Sequence, residues 1–276
     1  MNMNDQRKKG FTLIELLVVI AIIAVLMGIL MPSLRAAKQQ AAAANCMANT
    51  RSLSFGWIMY AQENDNSLVA ANMGNNGWIG QPQSENGTNY SPTQASPMVL
   101  DEDEIRGIKK GLLYPYLKDA GAYHCPADNM RISKYDGTKV FVSYALANCL
   151  NGEPASFKKQ IKKIHQIKNA SKRYNFVETA ETRNFNMAGH FVIGAPEYTG
   201  LTTWSWWSPM AVHHNKASVL GFCDGHAEKH KWVDKFTLDR VQKLIEQNVD
   251  TYGQEPGPPD QQQDLKYMAD GWAYRY

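Results

Sequence analysis

The sequence predicts an α+β fold in which a long N-terminal helix, membrane-spanning over its first half, packs through its second half on a small antiparallel sheet. Three observations carry that expectation. Phe11–Met31 is an apolar run of 21 residues containing one charge, Glu15. Helix-favouring sequence continues past it to about Glu63. Beyond Asn64 the texture changes to short β-branched and aromatic runs bounded by turn residues, with Asp224-Gly225 as the clearest hairpin signal.

As a helix the apolar run spans about 30 Å, the hydrocarbon thickness of a bilayer. Arg7-Lys8-Lys9 stands just before it, which by the positive-inside rule keeps the N-terminus cytoplasmic and exports the chain beyond Met31. A secretory signal peptide has a shorter apolar core with a small-x-small site after it, whereas Ala21 and Ala24 lie inside this run. A plain signal anchor explains the length and the basic flank. It does not explain Glu15, whose carboxylate costs about 2–3 kcal/mol in hydrocarbon and so needs a partner or a purpose.

From Ser33 the helix is expected to continue to about Glu63. Leu34, Ala37, Ala41, Ala44 and Ala48 recur at helical spacing, and small alanines permit close approach of the head. Gln39, Gln40, Asn45, Asn49 and Arg51 supply a polar side. Pro32 removes one backbone donor and should bend or loosen the helix, with Gly28 lowering propensity nearby.

In the exported part, 73–97 is rich in Gly, Asn, Ser, Gln and Pro and reads as a long loop. Asp101–Lys110 is charged, and Leu112–Leu117 suits a short helix or turn. Strands are expected at Lys139–Leu146, Arg173–Thr179, Phe191–Ala195 and Ala217–Cys223. Ile161, Ile164 and Ile167 have helical spacing within Phe157–Ile167, whose lysines form a solvated face. Lys235 to about Gln247 reads as a short helix, and Gln254–Gln263 as irregular. A two-residue Asp224-Gly225 hairpin sets Cys223 opposite His226, Gly221 opposite Glu228 and Val219 opposite His230.

The composition narrows function. The chain has 276 residues, 44% hydrophobic and 20% charged, with a mean hydropathy of −0.43 that averages an oily start with a water-compatible remainder. Removing Met1–Gly10 takes away Arg7, Lys8, Lys9 and Asp5 and leaves 26 basic and 25 acidic residues. A near-neutral body gives no electrostatic reason to expect nucleic acid. No nucleophile elbow, phosphate loop or HExxH stretch is present, so no catalytic residue or enzyme activity is assigned.

Lys9-Gly10-Phe11-Thr12-Leu13-Ile14-Glu15-Leu16-Leu17-Val18 resembles the class III signal of type IV pilins and type II secretion pseudopilins. The resemblance covers about the first fifty residues, and Pro32 falls where many members carry a helix-kinking proline. It implies cleavage after Gly10 by a prepilin peptidase, which also N-methylates the new terminus, Phe11. It also implies pairing of Glu15 with the terminal amine of a neighbouring subunit. The implied partners are that peptidase, sister pilin or pseudopilin subunits, an inner-membrane assembly platform, and membrane lipid before assembly. On this pilin-like reading the chain divides into a leader (1–10), a transmembrane and filament-core helix (11–32), its amphipathic continuation (33–63), an exported head (64–234) and a C-terminal helix with an irregular tail (235–276).

A second resemblance lies at the other end of the chain. His214-x9-Asp224-Gly225 is similar to a C-terminal signature of many prepilin-like proteins, and Cys125-Pro126-x-Asp128 and Ser143-Tyr144-Ala145 share that texture.

Other chemistry competes with these readings. His213, His214, His226, His230, Asp224, Glu228 and Cys223 are residue types that hold zinc, but an Asp-Gly tip is ordinarily a turn and strand-face histidines are ordinarily solvated. No metal site and no cofactor is assigned. Calcium through loop oxygens of Asp128, Asp136 and Asp224 is a separate option that no spacing rule selects. In an oxidising compartment the four cysteines, 46, 125, 149 and 223, allow three disulfide connectivities. Cys46 with Cys125 is favoured as a staple from helix to head, and buried thiols are the alternative. Trp204-Ser205-Trp206-Trp207 suits either a sugar-facing surface or, as preferred, core plus a packed loop. Two further functions stay open: an adhesion or binding protein that borrows the signal, and a membrane-anchored metal hydrolase using His214, Asp224 and His226.

Overall fold

A computed structural model describes residues 13–90, 99–128, 139–152, 160–180, 189–196, 200, 202–247 and 254–273. The chain divides into two units, Met1–Ala41 and Ala42–Tyr276. Helix α1 (Leu13–Glu63) is a single element of 51 residues that continues through Pro32. Ala36–Ala44 supplies strong intrinsic propensity immediately after the proline.

The rest of the chain contributes β1 (Ala70–Met73), β2 (Gly77–Ile79), α2 (Asp101–Lys110), α3 (Tyr114–Leu117), β3 (Tyr144–Ala147), β4 (Tyr174–Glu178), β5 (His190–Phe191), β6 (Ile193–Gly194), β7 (Ser205–Trp206), β8 (Ala217–Phe222), β9 (Ala227–Lys231), α4 (Lys235–Gln247) and α5 (Gln263–Gly271). The central sheet runs β5-β3-β4-β8-β9. Its β3–β4, β4–β8 and β8–β9 pairs are antiparallel, but β5 joins β3 in parallel through Leu146↔His190. The expected α+β class holds, with a mixed rather than purely antiparallel sheet. The outer strand β9 is largely exposed and carries Glu228, Lys229 and Lys231, charges that discourage edge pairing.

The helix–sheet contact is made by a stripe other than the expected one. Leu34, Ala37, Ala41, Ala44 and Ala48 are all exposed. The buried positions are Ala43, Cys46, Thr50, Leu53, Ser54, Gly56, Trp57 and Ala61, which fall on one face at steps of mostly three or four. The stripe is set by where the helix meets β8 and β4. A Cβ added to Gly221 would sit 2.4 Å from Ser54 Oγ, so only glycine admits the helix there. Ser54 Oγ in turn donates to Asn175 Oδ1 at 2.9 Å. Asn49, expected on the polar side, instead donates to the His124 carbonyl at 2.9 Å.

Several loops hold more order than their composition shows. β1 and β2 pair in parallel within and beside the expected 73–97 loop, and Trp78 is buried there with its indole N–H donating to the Gly189 carbonyl at 2.7 Å; residues 91–98 lie outside the described ones. Asp101–Lys110 is a helix with Asp101, Glu102, Asp103 and Glu104 in its first turn and Lys109 and Lys110 in its last, matching the macrodipole at both ends. The helical spacing of Ile161, Ile164 and Ile167 does not make a long helix. Ile161 bridges Leu150 and Lys163 bridges Ser67, leaving a single 3-10 turn at Ile164–Gln166, while 157–159 lie outside the described residues.

The C-terminal segment adds a helix, α5, where only a tail was expected. Asp234 and Asp264 cap one another: the Asp264 amide donates to Asp234 Oδ2 at 2.8 Å, and the Asp234 amide to Asp264 Oδ2 at 2.9 Å. The buried Arg173 guanidinium binds the Asp270 carbonyl at the end of α5. Leu265, Met268 and Trp272 are buried.

The β8–β9 hairpin differs by one residue from the two-residue turn. Ser218 faces His230, Leu220 faces Glu228 and Gly221 faces Ala227, and the Phe222 amide donates to the His226 carbonyl at 2.8 Å. The loop is therefore Cys223-Asp224-Gly225, with Gly225 at φ +95, the left-handed residue that a three-residue turn needs. A Cβ there would also meet Phe55 Cε1 at 2.7 Å.

Candidate functional site

Two places in the chain gather chemistry. The first is buried. Glu178, the last residue of β4, is fully buried, and its carboxylate accepts the Val219 amide at 2.7 Å through Oε2. Its Oε1 lies 3.0 Å from His214 Nε2. His214 Nδ1 has no hydrogen-bond partner, so Nε2 is the ring nitrogen that donates to Glu178, because a buried unpaired donor is costly. The same Nε2 is 3.4 Å from Cys125 Sγ. Cys125 is joined to Cys46 of α1 by a disulfide with Cα atoms 5.4 Å apart and a sequence separation of 79. Closing a loop of that length removes enough unfolded-chain entropy to contribute about 4 kcal/mol.

A second carboxylate lies alongside. Ser143 Oγ accepts the Cys125 amide at 3.0 Å and donates to Asp128 Oδ2 at 2.6 Å, and Asp128 Oδ1 is 3.4 Å from His213 Nε2. Tyr144 is buried beside these groups, and its pKa is pushed well above the phenol range by burial first and then by the Glu178 charge. The acids are thus paired and closed off from water. Nothing in the sequence marked Glu178 beyond a carboxylate in a strand buried along its whole length.

The zinc-type residue set from the sequence does not converge. His226 Nδ1 binds Asp224 Oδ1 at 2.6 Å at the hairpin tip. Burial, the largest effect on Asp224, raises its pKa, but the bonds from the His226 ring and amide outweigh it and the net shift is downward. His230 stacks on Tyr267 with ring centroids 3.6 Å apart, and Glu228 accepts the Tyr267 hydroxyl. Cys223 is a buried free thiol whose pKa burial pushes well up, and Cys149 is another, pushed up to about 12.

His214 and Asp224-Gly225 flank β8, one at each end, and make no joint site. His214 ties the strand's start to Glu178, and Gly225 lets its far end pass Phe55. Asp128 and Asp224 are separately engaged, and Asp136 lies outside the described residues. Trp206 is buried against Trp232, with centroids 6.4 Å apart, while Trp204 and Trp207 are partly exposed.

The second place is the start of α1. Glu15 lies in its first turn, and the large apolar side chains from Leu13 to Leu34 are exposed. This is one helix long and apolar enough to cross a membrane, with none of its apolar window buried. Gly10 and Phe11 lie outside the described residues. The family model described as the prokaryotic N-terminal methylation motif matches residues 5–31. The N-terminal segment carries this methylation motif. That motif takes in Gly10, Phe11 and Glu15 and ends at Met31, so it bears on the helix start and on nothing in the head. Neither a curated protein nor a solved structure matches the chain. The methylation motif and the exposed helix together support a membrane-anchored, pilin-like protein.

Proposed function

We propose that the chain is a structural subunit of a type IV pilus or a type II secretion pseudopilus. The observation that carries the proposal is the coincidence of the methylation motif at 5–31 with an apolar stretch of α1 whose large side chains, from Leu13 to Leu34, are exposed. In this reading a prepilin peptidase cuts after Gly10 and methylates Phe11. The N-terminus stays on the cytoplasmic side, and the head lies outside the cytoplasm. The helix is stored in lipid and then moves from lipid to sister subunits.

Cleavage creates an α-amine that is cationic near neutral pH. A neighbour's Glu15 carboxylate offsets the cost of carrying that charge into an apolar filament core, and the pair fixes the axial register of one helix on the next. The role is assembly, and the buried acids of the head serve its architecture. N-terminal sequencing of the protein from membranes of cells with a working prepilin peptidase tests this. The expected first residue is N-methylated Phe11; a chain that keeps Met1 in such cells overturns the proposal.

A further inference from the structure

The groups around the disulfide are themselves a ligand set. One donor atom each from Cys46, Cys125, Glu178 and His214 lies within 4.8 Å of the others, and all four residues are buried. Zinc bonds of about 2.0–2.3 Å in a tetrahedron place ligand atoms about 3.3–3.8 Å apart. His214 Nε2 is already 3.0 Å from Glu178 Oε1 and 3.4 Å from Cys125 Sγ. We propose that, when the Cys46–Cys125 disulfide is reduced, these four residues bind one zinc-class divalent cation, so that the head can be closed by either a sulfur–sulfur bond or a metal.

Two thiolates, an imidazole and a carboxylate form a borderline-soft set that suits zinc over calcium or magnesium. The Val219 amide holds the second Glu178 oxygen at 2.7 Å, which orients the carboxylate from behind. Reduction by a dithiol moves two electrons and two protons to the pair, giving two thiols and leaving the reductant as a disulfide. The cation then displaces one proton from each thiol. On the imidazole, Nε2 becomes the ligand and its hydrogen moves to Nδ1, where it lacks a partner, a cost that the metal–nitrogen bond offsets. The three negative charges of the thiolates and Glu178 meet a doubly charged ion in place of a buried disulfide beside one carboxylate. The four residues come from α1, the Cys125 loop, β4 and the turn before β8, so either closure joins the same four parts of the head.

The test uses the full chain in detergent micelles, oxidised or reduced with a phosphine, which takes the oxygen of one water as it becomes the phosphine oxide. Cobalt(II) is the spectroscopic probe and zinc the competitor. One cobalt per reduced chain is expected, with thiolate-to-metal charge-transfer absorption and tetrahedral d–d bands that zinc abolishes; the oxidised chain should bind none. Cys46→Ser should halve the charge-transfer absorption, and Glu178→Gln and His214→Ala should each weaken binding about tenfold or more. A Cys149→Ala/Cys223→Ala double variant should bind as the parent does. Absence of cobalt binding by the reduced parent overturns the proposal, as does full charge-transfer intensity in Cys46→Ser. If His214→Ala loses the head's circular dichroism, Cys46→Ser decides, because it removes only a bond already absent from the reduced parent.

Discussion

From Leu13 to Leu34 the large apolar side chains of α1 are exposed, between 46% at Val19 and 78% at Leu13, whereas from Ala43 to Ala61 the same helix buries a residue every three or four positions. The exposed half is the more hydrophobic one. The buried half uses Cys46, Thr50, Ser54 and two alanines beside Leu53 and Trp57. Burial therefore follows from the presence of a matching surface and not from oiliness. The second half has its surface in β4 and β8, where Gly221 opens the space. Among the described residues the large apolar side chains of the first half stay exposed, and exposed apolar area on that scale marks a site that something else covers.

The sharpest way to break this comparison is Glu15→Ala. Filament incorporation, measured as subunit recovered in sheared or pelleted filaments, is expected to be abolished. Cleavage after Gly10 and the head's unfolding midpoint should stay as in the parent. Unchanged incorporation would remove the role given to Glu15.

Next comes the matched pair Trp57→Ala and Leu26→Ala. Trp57 is fully buried, and its truncation should cost the head about 3–5 kcal/mol in denaturant unfolding followed by near-ultraviolet circular dichroism. Leu26 is 61% exposed, and its truncation should leave that transition in place while weakening assembly. Gly221→Ala should cost about 1–3 kcal/mol by pressing a methyl group into Ser54; no loss there would mean that the helix does not close on β8 as described.

The smallest effect expected is a pH dependence. Burial holds the His230 pKa below its ordinary 6.5. The unfolded chain therefore takes up the proton first, and the contribution of neutral His230 is full above about pH 6.5 and is lost as pH falls from there through the lower folded value. Thermal unfolding midpoints measured across that window should fall less steeply in His230→Phe than in the parent, since phenylalanine keeps a ring over Tyr267 without titrating. Equal slopes would remove His230 from the acid response.

Legibility in the sequence divides the same way. The helix from about Thr12 to Glu63 is written in continuous propensity, and the structure shows it from Leu13 to Glu63. The strands at 144–147, 174–178 and 217–222 are marked by β-branched and aromatic runs, and α4 by its apolar spacing. What escapes depends on partners distant in sequence. The packing stripe is offset from the alanine row because Gly221, far downstream, decides which helix face fits. The parallel pairing of β5 with β3 cannot be read from two residues, His190 and Phe191. The acidic start and basic end of α2 are a helix signal that its high charge hides. At the buried site His214 and the cysteines stand out by residue type, but Glu178 sits unannounced in a strand, and only β4–β8 pairing brings it under the ring.

The disulfide has a mechanical consequence. Among the described side chains of α1 the first that is deeply buried is Ala43, and Cys46 comes three positions later. Tension drawn along the helix from its apolar end would otherwise peel it off the sheet one turn at a time, each turn resisting with only its own contacts. With a covalent crosslink at the place where peeling begins, the pull is passed at once to the chain around Cys125 and shared across the body, so the weak mode of failure is blocked at its origin.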